Sequence, residues 1–264
     1  MNKKYLFISD IHLGLQSREV EEKKEKLLVK FLNEAAINCD ELFIIGDLFD
    51  YWFEYKYVYQ KGFYRTLTAL KDLTEKGIIV HYFIGNHDFM HLNFFTKEIG
   101  TNLYYDAVHF VLNGKKFFIG HGDGLVKNDI CYKILKSILR NKVIQWFYGW
   151  LHPDIGVWLA KLTSKSSRDY TTKKNYGKED GLYETAKIKI EKGFDFVLFG
   201  HEHSRKDITY KNGKYINLGS WLDKPCYGKF ENINFENSSA EIVSFTANCL
   251  NSCLRISSCN EIIN

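Results

Sequence analysis

Seven residues of types that bind metal ions are spread over five short polar clusters, and each cluster follows directly on a run of apolar residues. The donors are Asp10, His12, Asp47, Asn86, His121, His201 and His203. Carboxylate and amide oxygens together with imidazole nitrogens, without a thiolate, suit borderline-hard divalent ions such as manganese, iron or zinc. Seven donors are enough for two such ions, and manganese is our first expectation.

A glycine stands directly before the donor in four of the five clusters. The clusters read D-x-H from Asp10, G-D-x-x-D from Gly46, G-N-H-D from Gly85, G-H-G from Gly120 and G-H-x-H from Gly200. A residue without a β-carbon permits a sharp turn and a close backbone approach to an ion. Each cluster alone is also ordinary turn or surface chemistry. The case for a metal site therefore lies in their joint occurrence.

The elements that must position these donors alternate along the first half of the chain. Runs rich in β-branched and aromatic residues predict strands at 5–8, 42–45, 78–84 and 117–119. Apolar residues at helical spacing predict helices at 20–36 and 63–73. Such alternation indicates parallel β-α-β units, in which ligands bind at the carboxyl edge of the strands. The clusters are therefore expected to meet at one edge.

The second half of the chain predicts strands at 196–199, at 215–218 and near 241–245. The sequence Lys211-Asn212-Gly213-Lys214 predicts a hairpin turn, so we expect this part to be more antiparallel. A mixture of parallel and antiparallel strands favours an α/β fold with two packed sheets flanked by helices.

Length and composition set the broad class of the protein. The 264 residues, of which 45% are apolar, suit one large domain or a core with a substantial insertion. The first eight residues lack the regions of a signal peptide, and we expect an unexported chain. No apolar stretch reaches the roughly eighteen residues that cross a membrane, so membrane contact is expected to be peripheral. The six cysteines show no C-x-x-C spacing, which favours free thiols in a reducing cytoplasm.

Residues 125–180 differ from the rest of the chain. They contain eleven Lys or Arg and five Asp or Glu, a surplus of six that exceeds the net charge of +4 of the whole chain. Three of the five tryptophans lie there in an apolar stripe that His152-Pro153-Asp154 interrupts, which predicts a helical pair. Such a stripe beside cations suits an acylated anion at a membrane surface, and a helical hairpin packed on the core is the alternative. The sequence has no nucleic-acid-binding motif, so nucleic acid is not an expected partner.

Taken in order, the five clusters resemble those of the calcineurin-like metallophosphoesterases. The resemblance implies a four-layered α/β/β/α sandwich that binds two metal ions. It implies one ion held by Asp10, His12 and His203, a second held by Asn86, His121 and His201, and a bridging Asp47. It also implies that metal-bound hydroxide attacks phosphorus. His87 would then donate to the transition state or leaving oxygen, and Asp50 would orient and charge His87.

From about residue 4 to residue 230 the chain is more specifically similar to the UDP-2,3-diacylglucosamine hydrolases of lipid A biosynthesis. The similarity is carried by residues 8–14, 46–52 and 121–123, followed by Asp129 and Tyr132. It implies cleavage of the pyrophosphate of UDP-2,3-diacylglucosamine to UMP and 2,3-diacylglucosamine 1-phosphate, in the cytoplasm or at the cytoplasmic face of the inner membrane. The substrate would be an acylated, nucleotide-linked sugar, and the membrane surface would be a peripheral partner.

This resemblance also implies a division of the chain. Residues 1–124 and 181–246 would form the metallophosphoesterase core, residues 125–180 a helical lid that covers the acyl groups, and residues 247–264 a tail. The residues expected to touch substrate are Asn86, His87, Asp129, Tyr132, Lys165, Ser166 and Arg168.

One position departs from the lipid A hydrolases. They carry arginine in a G-N-R-D sequence, where this chain has His87. Because an imidazole and a guanidinium contact phosphate differently, another nucleotide-linked lipid or a different phosphoester stays open as the substrate. A cyclic nucleotide phosphodiesterase, a nucleotide pyrophosphatase, a protein phosphatase and a non-catalytic binding protein are further alternatives, and the complete donor set disfavours the last.

Overall fold

The computed structural model describes residues 2–58, 60–125, 137–160, 181–222 and 225–231. Within these residues, ten strands form two five-stranded sheets. The strands are β1 Tyr5–Ile8, β2 Glu41–Ile45, β3 Ile79–Phe83, β4 Asn102–Tyr104, β5 Val108–Leu112, β6 Lys115–Ile119, β7 Phe196–Phe199, β8 Lys206–Tyr210, β9 Gly213–Asn217 and β10 Gly228–Phe230. The first sheet has the order β10-β1-β2-β3-β4 and the second has the order β5-β6-β7-β9-β8.

The helices flank these sheets. Those with defined bounds are α1 Arg18–Asn38, α2 Tyr64–Glu75, α3 Lys142–Tyr148 and α4 Gly181–Glu191, and Phe94–Ile99 is a π-helix. The backbone is also helical at residues 153–160. In the described part of the chain, no helix combines the length and the apolar character that crossing a bilayer requires.

The strands of the first sheet are apolar because both faces of this sheet are covered. Strands β1 to β4 are parallel, and β10 joins the edge antiparallel to β1. Every residue of β1 and β2 is buried, as expected for parallel strands covered on both faces. One face packs on α1 and α2 through residues such as Ile44 and Phe31, and the other packs on the second sheet through Phe7 and Phe117.

A third apolar cluster joins the second sheet to α4, where Leu182 and Ala186 contact Val197. The layers are therefore helix, sheet, sheet and helix, which confirms the α/β/β/α expectation. Helix α1 buries Leu28, Phe31 and Ala35 at helical spacing, which is the pattern that predicted it.

The second sheet is less antiparallel than the sequence suggested. Its outer pairs, β5 with β6 and β8 with β9, are antiparallel, but β6, β7 and β9 are mutually parallel. The predicted turn is confirmed, because Lys211 and Asn212 connect β8 to β9. A second hairpin, at Asn113 and Gly114 with φ of 44° and 78°, was not predicted. The strand expected near 241–245 and the tail lie outside the described residues.

The inserted segment is described at residues 137–160 and contains the expected pair of helices. Helix α3 ends at Tyr148 and the helical backbone resumes at Pro153, a residue that suits a first helical position. The pair packs on the core through Tyr148 and Val157, which join a cluster with Tyr51 and Phe53. The hydroxyls of Tyr51 and Tyr148 lie 3.1 Å apart. The insertion therefore contacts the chain directly after Asp50.

Candidate metal centre

The donors predicted from sequence all lie at the carboxyl ends of strands, where the two sheets meet. Asp10, Asp47 and Asn86 follow β1, β2 and β3 of the first sheet, while His121 and His201 follow β6 and β7 of the second. Both sheets thus contribute to one site. The alternation of strands and polar clusters predicted the positions at the carboxyl ends of strands, though at one edge and not across two sheets.

A first group of donors surrounds His12. Its Nε2 atom lies 3.0 Å from Nε2 of His203, 3.9 Å from Oδ1 of Asp10 and 3.7 Å from Oδ2 of Asp47. Nε2 of His203 lies 3.4 Å from Oδ1 of Asp10. One ligand atom from each of these four residues can be chosen so that all lie within 4.8 Å of one another, which is the size of a metal site.

A second group surrounds Asn86. Its Oδ1 atom lies 3.0 Å from Nε2 of His121 and 2.9 Å from Nδ1 of His201. Nε2 of His121 also lies 3.2 Å from Oδ2 of Asp47. The same carboxylate oxygen of Asp47 therefore lies close to both groups, which is the position of a bridging ligand.

The chemistry of these contacts fits divalent cations. Asp10 and Asp47 are buried carboxylates, and a buried charge is costly unless a counter-charge is present. The Nε2 atoms of His12 and His203 lie 3.0 Å apart, and their lone pairs face the same space if each ring carries its proton on Nδ1. A cation between the donors would satisfy the carboxylates and both imidazoles at once.

The charges of the site perturb two imidazoles in opposite directions. Burial alone would lower the pKa of His121, but the charge of Asp47 and its hydrogen bond to His121, followed by the charges of Asp10 and Asp123, outweigh it and raise this pKa to about 10. Burial, followed by the nearby positive charge of His121, lowers the pKa of His201 to about 4. The carboxylates that raise the pKa of His121 would also attract a divalent cation, which would compete with the proton for Nε2.

Backbone conformation marks the same residues. Five of the seven donors have left-handed backbone: Asp10 at φ 51°, His12 at 48°, Asp47 at 51°, His201 at 70° and His203 at 55°. Such conformations are uncommon outside glycine and cost free energy, and they cluster at functional sites. The folded chain therefore holds these side chains in place at an energetic cost.

Close approach requires the glycines that precede the donors, as Gly85 and Gly46 show. A β-carbon at Gly85 would lie 2.0 Å from Oδ1 of Asp47, and one at Gly46 would lie 2.4 Å from Nδ1 of His121. Either would displace a donor. Instead, His121 Nδ1 lies 2.9 Å from the carbonyl oxygen of Ile45, an arrangement that leaves Nε2 facing the other donors.

His87 and Asp50, the predicted catalytic pair, lie beside the first group. Nδ1 of His87 is 3.5 Å from Oδ1 of Asp50, and Nδ1 of His12 is 3.7 Å from the same oxygen. The rings of His12 and His87 meet edge to face with centroids 4.9 Å apart. The backbone N–H of His87 donates to Oδ1 of Asp47 at 2.9 Å. Asp50 can thus orient an imidazole that borders the metal donors.

Asp88, the last residue of the G-N-H-D cluster, has a supporting position that sequence reasoning left undecided. Its carboxylate is fully buried and accepts hydrogen bonds from the backbone N–H of Leu48 at 2.8 Å, from that of Gly85 at 2.9 Å and from the Tyr82 hydroxyl at 2.5 Å. It therefore ties the loop after β2 to the loop after β3 and fixes Asp47 relative to Asn86.

The substrate contacts expected from the inserted segment, Asp129, Tyr132, Lys165, Ser166 and Arg168, lie outside the described residues and stay predictions. In the described part, Arg140 joins the segment to the core. Its Nη1 donates to the carbonyl oxygen of Tyr105 at 2.7 Å and its Nη2 lies 3.8 Å from Asp123. Arg140 thus holds the insertion next to the chain that carries His121.

The calcineurin-like phosphoesterase family matches residues 3–205, more than half of the chain. The protein therefore belongs to this family and is a metal-dependent hydrolase. This result confirms the family and the fold class expected from the polar clusters.

Within the family, the chain is similar to several proteins named UDP-2,3-diacylglucosamine hydrolase. That of Porphyromonas gingivalis strain W83 is 29% identical over 259 residues, which cover 91% of this chain and 99% of that protein. That of Aliivibrio fischeri strain MJ11 is 26% identical over 234 residues, covering 83% and 91%. That of Haemophilus influenzae strain Rd is 29% identical over 219 residues, covering 81% and 89%.

Solved structures resemble the chain more distantly. An archaeal phosphodiesterase aligns with a TM-score of 0.46 at 14% identity, covering 92% of this chain and 99% of that one. A predicted phosphoesterase of Streptococcus pneumoniae TIGR4 aligns with a TM-score of 0.40 at 15% identity, covering 88% and 83%. The fold assignment rests on the family match and the sheet order, and not on these scores.

Proposed function

We propose that the protein is a two-metal phosphohydrolase that cleaves the pyrophosphate of UDP-2,3-diacylglucosamine to UMP and 2,3-diacylglucosamine 1-phosphate. The single observation that carries the two-metal proposal is the position of Asp47 Oδ2, 3.7 Å from His12 Nε2 and 3.2 Å from His121 Nε2. The substrate proposal is supported by the relatives of that name, which align over nearly the whole chain.

The seven candidate ligands would divide between two metal ions. Asp10, His12 and His203 would hold one divalent ion, Asn86, His121 and His201 the other, and Asp47 both. When bound, two such ions, which we infer to be Mn²⁺ from the mixed oxygen and nitrogen donors, activate a water as nucleophile and neutralise phosphoryl oxygens. The protein's own contribution is to exclude competing ligands and to hold its donors rigidly, as the buried carboxylates and left-handed backbones of the site support.

His87 is the proposed proton donor. The Asp50 carboxylate, 3.5 Å from Nδ1 of His87, stabilises a proton on this ring. Nε2 of His87 can then donate a hydrogen bond or a proton to the oxygen that leaves phosphorus. The bond from water oxygen to phosphorus forms as the bond from phosphorus to the bridging oxygen breaks, so the second phosphate departs with that oxygen. A protonated histidine at this position would stabilise the leaving oxygen by donating its proton, whereas an arginine would stabilise it with a permanent positive charge.

An acylated substrate is supported by the inserted helices. Trp146, Phe147, Trp150 and Trp158 are exposed there, Trp150 by 75%. Clustered exposed apolar side chains mark interaction sites for proteins, membranes or apolar ligands. The helix that carries Trp146 and Phe147 contacts Tyr51 through Tyr148, so this helix lies beside the chain that follows Asp50. We propose that it shelters acyl chains, and that the enzyme works peripherally at the cytoplasmic face of the inner membrane.

His87 also supports an alternative substrate. Since the lipid A hydrolases carry arginine at this position, the same site could act on another nucleotide-linked lipid. The exposed tryptophans favour a lipid over a plain nucleotide in either case.

The test is incubation of purified, Mn²⁺-loaded protein with UDP-2,3-diacylglucosamine dispersed in detergent, with chromatographic measurement of UMP. UDP-N-acetylglucosamine serves as the unacylated control substrate. Asp47→Ala removes the proposed bridge, and Asp72→Ala on the exposed side of α2 is the matched control variant. We expect UMP from the parent and from Asp72→Ala, and a loss of at least about 100-fold in Asp47→Ala.

Two results would contradict the proposal. Absence of UMP from folded, metal-loaded protein would reject the substrate. Undiminished turnover by folded Asp47→Ala would reject the bridging role.

A further inference from the structure

A second apolar and basic surface lies on the core, in the connection between β2 and α2. Tyr57, Val58 and Tyr64 are exposed by 85%, 52% and 64%. From residue 55 to residue 65 the sequence has three cations, Lys56, Lys61 and Arg65, and no Asp or Glu. All three cations are exposed. We call residues 56–58 and 60–65 the tyrosine loop.

Two tyrosines of this loop lie beside cations. The Lys56 ammonium lies 5.0 Å from the centre of the Tyr57 ring, and the Arg65 guanidinium lies 5.5 Å from that of Tyr64. Nε of Arg65 also donates to the Tyr64 hydroxyl at 3.1 Å. An aromatic ring with a polar tip next to a positive charge is the combination that favours the boundary between lipid headgroups and acyl chains.

The tyrosine loop adjoins the inserted helices. Tyr55, the residue before it, packs in the same apolar cluster as Tyr148 and Val157. A β-carbon on Gly156 would lie 2.2 Å from the Tyr55 hydroxyl, which shows how closely the insertion approaches. The backbone N–H of Tyr55 donates to the carbonyl oxygen of Val58 at 3.0 Å and fixes the start of the loop.

The loop also lies at the edge of the sheet that carries the site. It leaves the carboxyl end of β2 after Asp47 and Asp50, and α2 begins at its far end with Tyr64. Phe63 of the loop packs against Phe49, which lies between Asp47 and Asp50, with ring centroids 5.0 Å apart. The loop therefore adjoins the chain that carries these two residues.

The charges select the class of partner. Three exposed cations without an acidic residue are complementary to an anionic surface. The exposed Tyr, Val and Trp side chains leave water only if an apolar layer lies beneath that surface. A nucleic acid would satisfy the cations but would leave Val58 and the tryptophans of the insertion in water. An anionic phospholipid bilayer satisfies both.

We propose that the tyrosine loop and the inserted helices form one surface that binds an anionic bilayer, and that the loop supplies its electrostatic part. The assignment rests on the proposed function, because a lipid substrate requires the enzyme to reach a membrane. It assigns membrane contact to a segment of the core, the tyrosine loop, where the sequence had suggested such contact only for the insertion. Binding in this orientation places the carboxyl edge of β2 at the headgroups, so that an acylated nucleotide need not leave the bilayer to be cleaved.

The experiment measures partitioning of the full-length, Mn²⁺-loaded protein onto vesicles that contain phosphatidylglycerol and phosphatidylethanolamine, with pure phosphatidylcholine vesicles as comparison. The loop variant is Lys56→Gln/Lys61→Gln/Arg65→Gln. The control variant, Lys76→Gln/Lys97→Gln/Lys192→Gln, removes three exposed lysines at other places. Since each cation near an anionic bilayer contributes about fivefold, we expect the loop variant to lose roughly 100-fold in partitioning and the control to lose much less.

A second variant tests the aromatic part. Tyr57→Ser/Tyr64→Ser keeps the charges, and we expect it to retain initial attraction to anionic vesicles but to bind several-fold more weakly in high salt, where only the apolar contact persists. Circular dichroism and the melting temperature of each variant establish that the fold is intact.

Binding that is equal for the parent and the folded loop variant would overturn the inference, and so would equal loss in both triple variants or no binding by the parent. UMP release in detergent separates this proposal from the proposed function. Failure there together with loop-dependent vesicle binding would reject the substrate and keep the surface.

Discussion

The Lys24 ammonium donates a hydrogen bond of 2.8 Å to the carbonyl oxygen of His12, beneath the loop that carries the first metal donors. Lys24 is a buried residue of α1 and forms an ion pair of 2.9 Å with Glu21. The Glu21 carboxylate in turn accepts from the backbone N–H groups of Gly14 and Gln16, both at 2.8 Å. The first turns of α1 thus fix the loop in which His12 has left-handed backbone.

This relationship predicts that Lys24→Met weakens metal binding without touching a ligand. Residues that orient metal ligands typically contribute about 10-fold to 100-fold in affinity, and we expect a loss in this range by calorimetric titration with Mn²⁺. Lys26→Met, at an exposed position of the same helix, is the control. An unchanged Mn²⁺ affinity in folded Lys24→Met would show that the loop needs no such support.

The two groups of donors predict separable metal sites. His203→Ala should remove the ion of the first group and His201→Ala the ion of the second, so that each variant binds one Mn²⁺ where the parent binds two. Elemental analysis after dialysis measures the stoichiometry. Because both ions serve the reaction, each variant should lose at least about 100-fold in turnover. A parent that binds a single ion would contradict the division.

His87 is predicted to act on the reaction and not on the metals. His87→Gln removes the proton donor, and we expect kcat to fall by about 100-fold to 10,000-fold with Mn²⁺ stoichiometry unchanged. His87→Arg introduces the residue that the resemblance to the lipid A hydrolases implies at this position, and it should recover part of the rate on the proposed substrate. Loss of metal in His87→Gln would place this side chain among the ligands instead.

A pH effect on stability is predicted far from the site. His81 lies 2.9 Å from Glu41 and 3.0 Å from the Tyr104 hydroxyl, and burial, only partly offset by Glu41, lowers the pKa of His81. Since the unfolded chain then binds a proton more readily, the stability due to neutral His81 is full above about pH 6.5 and is lost as the pH falls through the folded pKa. Melting temperatures of Mn²⁺-saturated parent and His81→Gln at pH 7.5 and pH 5.5 measure it. The parent should lose more than the variant, and equal losses would contradict the assignment.

The candidate donors could be found in the sequence because each belongs to a polar cluster that follows a predicted strand. Asp10 and His201 are 191 positions apart, yet the backbone N–H of His201 donates to Asp10 at 3.1 Å. The rule that parallel strands gather ligands at their carboxyl edge predicts where each residue lies in its own sheet. Their meeting across the two sheets was an expectation of the family resemblance.

Other features could not be predicted from local patterns. Lys24 reads as an exposed helix position, and its burial depends on the path of residues 12–16 over α1. The parallel centre of the second sheet depends on β9 pairing with β7, while its sequence neighbour β8 lies at the edge. The hairpin at Asn113 and Gly114, in contrast, carried a turn signal that could have predicted it, and its first strand alternates regularly in exposure.

The division of the donors between the sheets has a mechanical consequence. Asp10, His12, Asp47 and Asn86 belong to loops of one sheet, and His121, His201 and His203 belong to loops of the other. Each proposed ion would take ligands from both sheets, so the pair of ions would link the two sheets. Removing the ions with a chelator should therefore weaken the packing between the two sheets as well as stop turnover. The supply of metal would then set the lifetime of the folded protein as well as its turnover rate.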